Sequence, residues 1–233
     1  MQLYYVDQVK NDTLIFDAEE AHHLRKVIRI SEGDKVRCTD GKGNEFFGTV
    51  TEVSKKHVQA SIDREINHQP APALHIGISP TKNISRYEWF LEKAVEIGVT
   101  QITPLKCRHS ERKSLRIDRL QRIIQSAAKQ SEKVFFPKLS MMMDFQSFIE
   151  EDHSEEIMLM AHLDEKITLI DRTSVGKKSV LMLVGPEGGF QDSEVELAIS
   201  NDFELVSLGD YRLRTETAGI VAASLIKQIH FLQ

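Results

Sequence analysis

Cysteine is scarce in this sequence. Only Cys38 and Cys107 occur, far apart and without a CxxC spacing. Neither a disulfide framework nor a zinc site is indicated by such a pair. His22-His23 lacks a third ligand at metal-binding spacing, so both histidines are expected to be structural. No apolar run approaches the ~20 residues of a membrane span. The amino terminus, Met1-Gln2-Leu3-Tyr4-Tyr5, lacks the basic and apolar regions of a signal peptide, and a soluble cytoplasmic protein is expected. Internal repeats and low-complexity segments are missing as well. So is any overall excess of positive charge: 30 Lys and Arg face 35 Asp and Glu, a net of −5. Taken alone, that total argues weakly against nucleic acid as a partner.

The placement of the charges argues the other way. Met1–Thr81 has 10 basic against 12 acidic residues, Lys82–Lys138 has 13 against 6, and Leu139–Gln233 has 7 against 17. A localised basic block is what phosphate contact requires, whatever the total. The alternative is an ordinary solvated helix face.

With 233 residues, 41% of them hydrophobic, the chain suits one large or two modest domains. Residues 1–68 read as a small β-barrel. Lys35–Thr39 alternates in period two, Asp40-Gly41-Lys42-Gly43-Asn44 is a turn cluster, and Phe46–Val53 and His57–Ile62 follow as strands. Within this region Ala18–Ile30 reads as a short amphipathic helix with Leu24, Val27 and Ile28 inward. Arg25, Lys26 and Arg29 lie on its polar side. They are candidates for phosphate contact, or else solvated charges. His68-Gln-Pro-Ala-Pro-Ala73 is a proline-containing hinge.

From residue 74 to 233 strands and helices alternate. Strands are expected at His75–Ser79, Gln101–Leu105, Ile157–Ala161, Ser179–Val184 and Glu204–Ser207. Helices are expected at Tyr87–Ile97, closed by Gly98, on the face Ile117, Leu120, Ile124 and Ala127, and at Phe145–Ile149. One more opens at Ser193 on a Ser193/Glu196 capping pattern, and a last one has Ala218, Ala222, Leu225 and Ile229 in register. Met141-Met142-Met143 reads as core or loop filling. This is an α/β domain with a parallel sheet.

Two loops of that domain carry the chemistry. Leu183-Val184-Gly185-Pro186-Glu187-Gly188-Gly189-Phe190 runs from a buried strand towards a helix, so its glycines sit in a turn where bare backbone can approach another molecule. A tight loop without a ligand is the bland alternative. Leu208-Gly209-Asp210-Tyr211-Arg212-Leu213-Arg214-Thr215-Glu216-Thr217-Ala218 joins the next strand to the last helix. Ligands in open α/β sheets bind beyond the carboxyl ends of the strands, so the two loops are expected to face one site.

LVGPEGGF, Glu194 and LG-x-x-x-LRTETA together resemble the knot signatures of the SPOUT methyltransferases, most closely the RsmE family, which methylates uridine N3 in small-subunit ribosomal RNA. His23-Leu-Arg-Lys-Val27 with Gly33-Asp34 is similar to that family's PUA-like barrel. Lys93–Val99, Ser110-Glu-Arg112 and Ala128-Lys-Gln-Ser131 are similar to its other motifs. Tyr211-Arg212 departs from the family's usual arginine and aliphatic residue, and Lys133 from its usual arginine.

The resemblance implies a deep trefoil knot, a homodimer, S-adenosylmethionine as methyl donor, and 16S ribosomal RNA as substrate, with neither DNA nor a membrane as partner. It implies an adenosine cradle of Leu183, Gly185, Glu187, Gly188, Gly189, Leu208, Gly209, Leu213 and Thr217. Arg214 is a candidate cation for the deprotonated uridine or for phosphate, or else a partner of Glu216 or Glu187. Glu216 is a candidate base, or a carboxylate favoured by the helix dipole. Lys82, Arg86, Arg108, Arg112 and Lys113, with Arg25 and Arg29 of the barrel, are candidates for RNA contact. A ribose 2′-O-methyltransferase and a non-catalytic ribosome-assembly factor are the competing readings. A P-loop is disfavoured, because GPEGG lacks the following Lys-Ser/Thr.

Overall fold

The structure, a computed structural model of the chain, describes residues 2–54, 57–163 and 175–232. Two units result. One comprises Met1–Pro70 with Ala128–Phe136, the other Ala71–Ala127 with Pro137–Gln233.

In the first unit six strands form a mixed sheet: β1 (Leu3–Tyr5), β2 (Gln8–Lys10), β3 (Thr13–Phe16), β4 (Lys35–Thr39), β5 (Asn44–Val53) and β6 (Val58–Asn67), in the order β1-β4-β5-β6-β3-β2. Only β1 and β4 run parallel. The sheet curls around a core that includes Val6, Leu14, Phe16, Leu24, Val36, Cys38, Val50 and Val58. Burial pushes the Cys38 thiol pKa well above its ordinary range, so it packs as a neutral apolar group.

The expected helix in this unit changes character halfway. α1 (Ala18–His23) is α-helical, with Asp17 capping it through Glu20 N–H. Leu24–Ile28 then winds as a π-turn that ends on Arg29 in the left-handed region. A π-turn adds one residue per turn and breaks the 3.6-residue register. Leu24 is therefore buried, but Val27 and Ile28 are 65% and 39% exposed, contrary to the sequence expectation.

The segment 128–136 supplies side chains that the sequence reading did not assign to this unit. Phe136 N–H donates to Gly41 O, Val134 O accepts from Gly43 N–H, and the Phe136 ring stacks on Tyr5 at 5.3 Å. Arg37 joins Glu45 to Glu132, and Lys129 pairs with the buried Glu20.

The second unit is built on an all-parallel sheet of β7 (Leu74–Ile78), β8 (Gln101–Lys106), β9 (Lys138–Leu139), β10 (Met143–Asp144), β11 (Ile157–Ala161), β12 (Val180–Val184) and β13 (Glu204–Val206). The order is β10-β8-β7-β12-β11-β13, with β9 also paired to β8. β7 and β12 lie in the middle and are buried at every position. That is why β12 reads as an unbroken apolar run and β7 as one interrupted only by His75, whose ring is paired with Glu155 and Thr103. Met143 joins β10, whereas Met141 is exposed.

Among the described residues its helices are α2 (Ile84–Ile97), α3 (Ile117–Gln130), α4 (Phe145–Ile149), α5 (Asp192–Ser200) and α6 (Thr215–Phe231). Asn83 caps α2, which starts three residues before the expected Tyr87, and Gly98 closes it at φ +102°. α5 starts at Asp192, and its cap is made two residues earlier than the sequence suggested. Glu194, not Glu196, reaches back to accept from Gln191 N–H at 2.8 Å.

α6 is apolar over most of its surface, so periodicity alone misassigned its faces. Ala222 and Ile229 are buried, as expected, together with Gly219, Ala223 and Ile226, but Leu225 is 37% exposed. Gly219 lets α6 press close to α2 and β7. A Cβ there would lie 2.6 Å from the Phe90 ring and 2.9 Å from Ile78. Among the described residues no helix is long and apolar enough to cross a membrane, and no cluster of His, Cys, Asp and Glu is suited to a metal ion.

Candidate active site at the carboxyl ends of the parallel strands

Because every strand of the second sheet points the same way, the segments that leave β7, β8, β11, β12 and β13 emerge at one end of it. Three of them enclose a cavity of about 430 Å³. That volume lies within the range of small-molecule sites. The wall comprises the end of β11 (Ala161, His162, Leu163), the glycine turn after β12 (Val184 to Phe190), and the loop after β13 (Leu208, Gly209, Tyr211, Arg212, Leu213), closed by Thr215 and Ala218 of α6.

The two loops are bonded to each other. Thr215 Oγ1 donates to Gly185 O at 3.0 Å, and the Arg212 guanidinium donates to Glu187 O at 2.8 Å. Gly189 and Gly209 hold φ of +77° and +134°, and a Cβ at either would meet open space. At these two positions the wall is bare backbone that a ligand can approach without a side chain in the way, while the peptide groups themselves are bonded within the loops, Gly189 N–H to Pro186 O and Gly209 N–H to Ser207 Oγ. Gly185 differs: a Cβ there would press on the Phe190 ring at 3.0 Å.

The glycine turn is braced from outside by its neighbours. Glu187 Oε1 accepts from Lys82 N–H at 2.8 Å, which ties it to the loop after β7. His109 Nδ1–H donates to Gly189 O at 3.1 Å, and a Cβ at Gly188 would press on the His109 Cβ at 3.0 Å. Glu194 accepts from Arg108 N–H as well as from Gln191 N–H, so one carboxylate joins the loop after β8 to the start of α5. Ser110 Oγ accepts from Cys107 N–H and lies 2.8 Å from Ser79 Oγ. Burial first, and then the Glu194 carboxylate, push the Cys107 thiol pKa far up, so Cys107 is packing and not a nucleophile.

The structure thus brings Gly185, Glu187, Gly188, Gly189, Leu208, Gly209 and Leu213 to one cavity. Two other candidates lie outside its wall. The Leu183 side chain is fully buried in the core below, and Thr217 is replaced at the wall by Thr215 and Ala218. Arg214 is exposed at the N-cap of α6, and among the described residues its guanidinium has no partner. Neither Glu187 nor Glu216 pairs with it. Glu216 is buried and faces Arg86, with Arg86 Nε 3.8 Å from Glu216 Oε1.

The candidate RNA contacts divide in the same way. Arg112 is a loop brace, donating to Thr81 O at 3.1 Å and Lys82 O at 2.7 Å. Lys82 pairs with Glu111. The Arg108 side chain is exposed. In the first unit Arg25 donates to Ser54 O, whereas Arg29 is exposed.

Sequence reasoning missed His162, Phe190, Tyr211 and Thr215 as wall residues. Tyr211, 84% exposed at the rim, lay within the quoted loop but carried no signal of its own. His162 had one available signal. It directly follows an expected strand end, Ala161, although only the pairing of that strand with β12 in the structure brings it beside the glycine turn.

A parallel α/β unit with a glycine-walled cavity at its strand ends, joined to a curled-sheet unit, is the architecture of a small-molecule-dependent enzyme with an added binding module. The chain belongs to the RNA methyltransferase family, whose catalytic-domain pattern matches residues 67–227 and whose PUA-domain pattern matches residues 16–63. It is similar to the crystal structure of a probable rRNA-methyltransferase from Porphyromonas gingivalis (36% identity, 100% of this chain and 99% of that one, TM-score 0.90). It is also similar to ribosomal RNA small subunit methyltransferase E from Neisseria gonorrhoeae bound to S-adenosyl methionine (26%, 98% and 97%, TM-score 0.86). The protein of the same name from Bacillus subtilis is 27% identical over 97% of this chain and 96% of its own length.

Proposed function

We propose that this protein transfers a methyl group from S-adenosylmethionine to N3 of a uridine in 16S ribosomal RNA. The observation that carries the reading is the cavity shared by the glycine turn and the loop before α6. Its bare backbone at Gly189 and Gly209, where no side chain intervenes, lets an adenosine edge approach closely. Gly185, Gly188, Leu208 and Leu213 would complete the cradle, with Thr215 holding the Gly185 peptide in place. When bound, the donor supplies the methyl group: the N3–CH3 bond forms as the S–CH3 bond breaks, its electron pair stays on sulfur, and the N3 proton leaves to solvent.

The chain itself must hold the uracil and favour loss of that proton. Arg214, an exposed cation at the start of α6, suits the negative charge of the deprotonated imide. N3 lies on the base-pairing edge, so the target uridine must be unpaired or extruded. Arg108 and Arg29 are exposed and suit phosphate. Lys82 and Arg112 have protein partners, which makes them supports of the loop after β7 first.

The reading extends to a knotted backbone, a homodimer and a cytoplasmic location. A knot is supported by the packing of α6 against α2, β7 and β12 after its preceding loop has crossed to the glycine turn. A homodimer is supported by the apolar side chains of Leu225, Phe231 and Leu232 left exposed on and just after α6. Light scattering on the purified protein checks the dimer.

Mass spectrometry of 16S ribosomal RNA from a strain lacking the gene tests the main claim. The expected result is loss of one methyluridine, with disappearance of a reverse-transcriptase stop at that position. A ribose 2′-O-methyl leaves the pairing edge free and produces no such stop. An unchanged set of methylated nucleotides would refute the proposal.

A further inference from the structure

Arg86 was grouped by sequence with the phosphate-binding cations, but its surroundings set it apart from them. Asn83 Oδ1 accepts from Ser85 N–H and starts α2 directly after the loop from β7, which places Arg86 in the first turn. Thr215 anchors the start of α6 to Gly185 O in the cavity wall, which fixes Glu216 one residue further on. The two side chains meet, with Arg86 Nε 3.8 Å from Glu216 Oε1. Their exposures differ: the Glu216 side chain is 9% exposed and that of Arg86 44%. Among the described residues neither has another ionic partner. The carboxylate is therefore the anchored member and the guanidinium the displayed one. Arg214, without a partner among the described residues, stands two residues before Glu216.

A cation already paired with a buried carboxylate is a poor phosphate anchor, because the pair as a unit is close to neutral. The same pair suits a neutral base whose charge appears only during reaction. Uracil carries carbonyl oxygens on both sides of N3. When the N3–H bond breaks, the proton goes to solvent, the electron pair stays on N3, and the charge spreads to both oxygens. Donors that meet this charge as it forms stabilise the transition state more than the ground state.

We propose that Arg86 is a catalytic residue that donates to one carbonyl oxygen of the target uracil while Arg214 serves the other, and that Glu216 is a positioning residue that aims Arg86. This rests on the uridine N3 reading above. It also removes Glu216 from the role of general base, leaving the proton to solvent.

Single-turnover methylation measured across pH, with RNA affinity titrated across salt, tests the assignment on Arg86→Ala, Arg86→Lys and Glu216→Gln. Arg86→Ala is expected to lower the single-turnover rate on the order of 10²-fold. It should also move the rate plateau to higher pH, where uracil ionises without help. RNA affinity and its salt slope should stay as in the wild type. Arg86→Lys keeps a charge against Glu216 and so guards against misfolding of the alanine variant. It should restore part of the rate. Glu216→Gln should shift the profile in the same direction with a smaller loss.

A drop in RNA affinity for Arg86→Ala, with a salt slope shallower by about one at unchanged single-turnover rate, would make Arg86 a phosphate anchor and overturn the proposal. An unshifted pH profile in all three variants would overturn it too. Failure of the underlying reading shows separately, as a wild-type enzyme that leaves uridine N3 unmethylated.

Discussion

Thr215 shows how one hydroxyl serves both stability and the site. It is buried, and its Oγ1–H donates to the carbonyl of Gly185, whose peptide lines the cavity. Thr215→Val keeps the shape and removes the donor. Leaving that carbonyl unsatisfied costs about 1 kcal/mol, which corresponds to a fall in melting temperature of about 2–4 °C for a chain of this size. Calorimetric titration should show weaker S-adenosylmethionine binding, because the Gly185 peptide is no longer held. Thr217→Val, one helical step outside the wall, should change both quantities less.

A second residue-scale prediction concerns Glu155. The hydrogen bond from buried His75, opposed by burial, holds its carboxyl below the ordinary value of 4.5. Burial tends to raise Glu45, but its bonds to Arg37 and His68 prevail and lower it as well. A carboxyl lowered by folding contributes stability that is complete above its unfolded pKa and is lost as pH falls through the folded one. Urea denaturation should therefore show stability falling below pH of about 4.5, and Glu155→Gln should flatten part of that fall.

At the scale of elements, close packing of α6 decides the geometry of the cavity wall. A methyl group at position 219 would strike the Phe90 ring and Ile78, neither of which can yield without moving α2 or β7. Gly219→Ala is expected to cost about 1–3 kcal/mol through overpacking, even though alanine is the better helix former. A denaturation midpoint equal to wild type would show that α6 does not sit so tightly.

The same helix marks a limit of reading structure from sequence. The parallel sheet was legible because its central strands are short, mostly apolar runs, and the two site loops because glycine and charge interrupt such runs. The inward face of α6 was not, since Ile220, Val221 and Leu225 stand beside or away from its buried positions and blur the contrast from which a face is read. Val27 and Ile28 were misplaced for a different reason: a π-turn inserts a residue into the period on which the reading depends. The partners of Arg112 and Arg86 are backbone carbonyls and a carboxylate brought in by tertiary contacts, which spacing along the chain does not encode.

At the scale of the whole molecule, the order of the chain and the order of its units differ. Residues 128–136 follow the first part of α3, which belongs to the parallel-sheet unit, yet they complete the other unit. They do so through the Phe136 stack on Tyr5, the bridge between Lys42 and Phe135, and the carbonyl of Val134, which accepts from Gly43 N–H and Thr39 Oγ1–H. Phe135 and Phe136 occupy the space beside Gly43 and Gly41 that any side chain there would fill, so the turn after β4 and this segment specify each other. Phe136→Ala removes the stack on Tyr5 in β1, whose only sheet neighbour is β4. Hydrogen exchange of the full chain, followed by mass spectrometry, should then show faster exchange in peptides covering Leu3–Tyr5 and Lys35–Thr39, and unchanged exchange in those covering β7 and β12. Equal acceleration in both sets would mean that the two units unfold as one, and that segment 128–136 is not specific to the unit its contacts define.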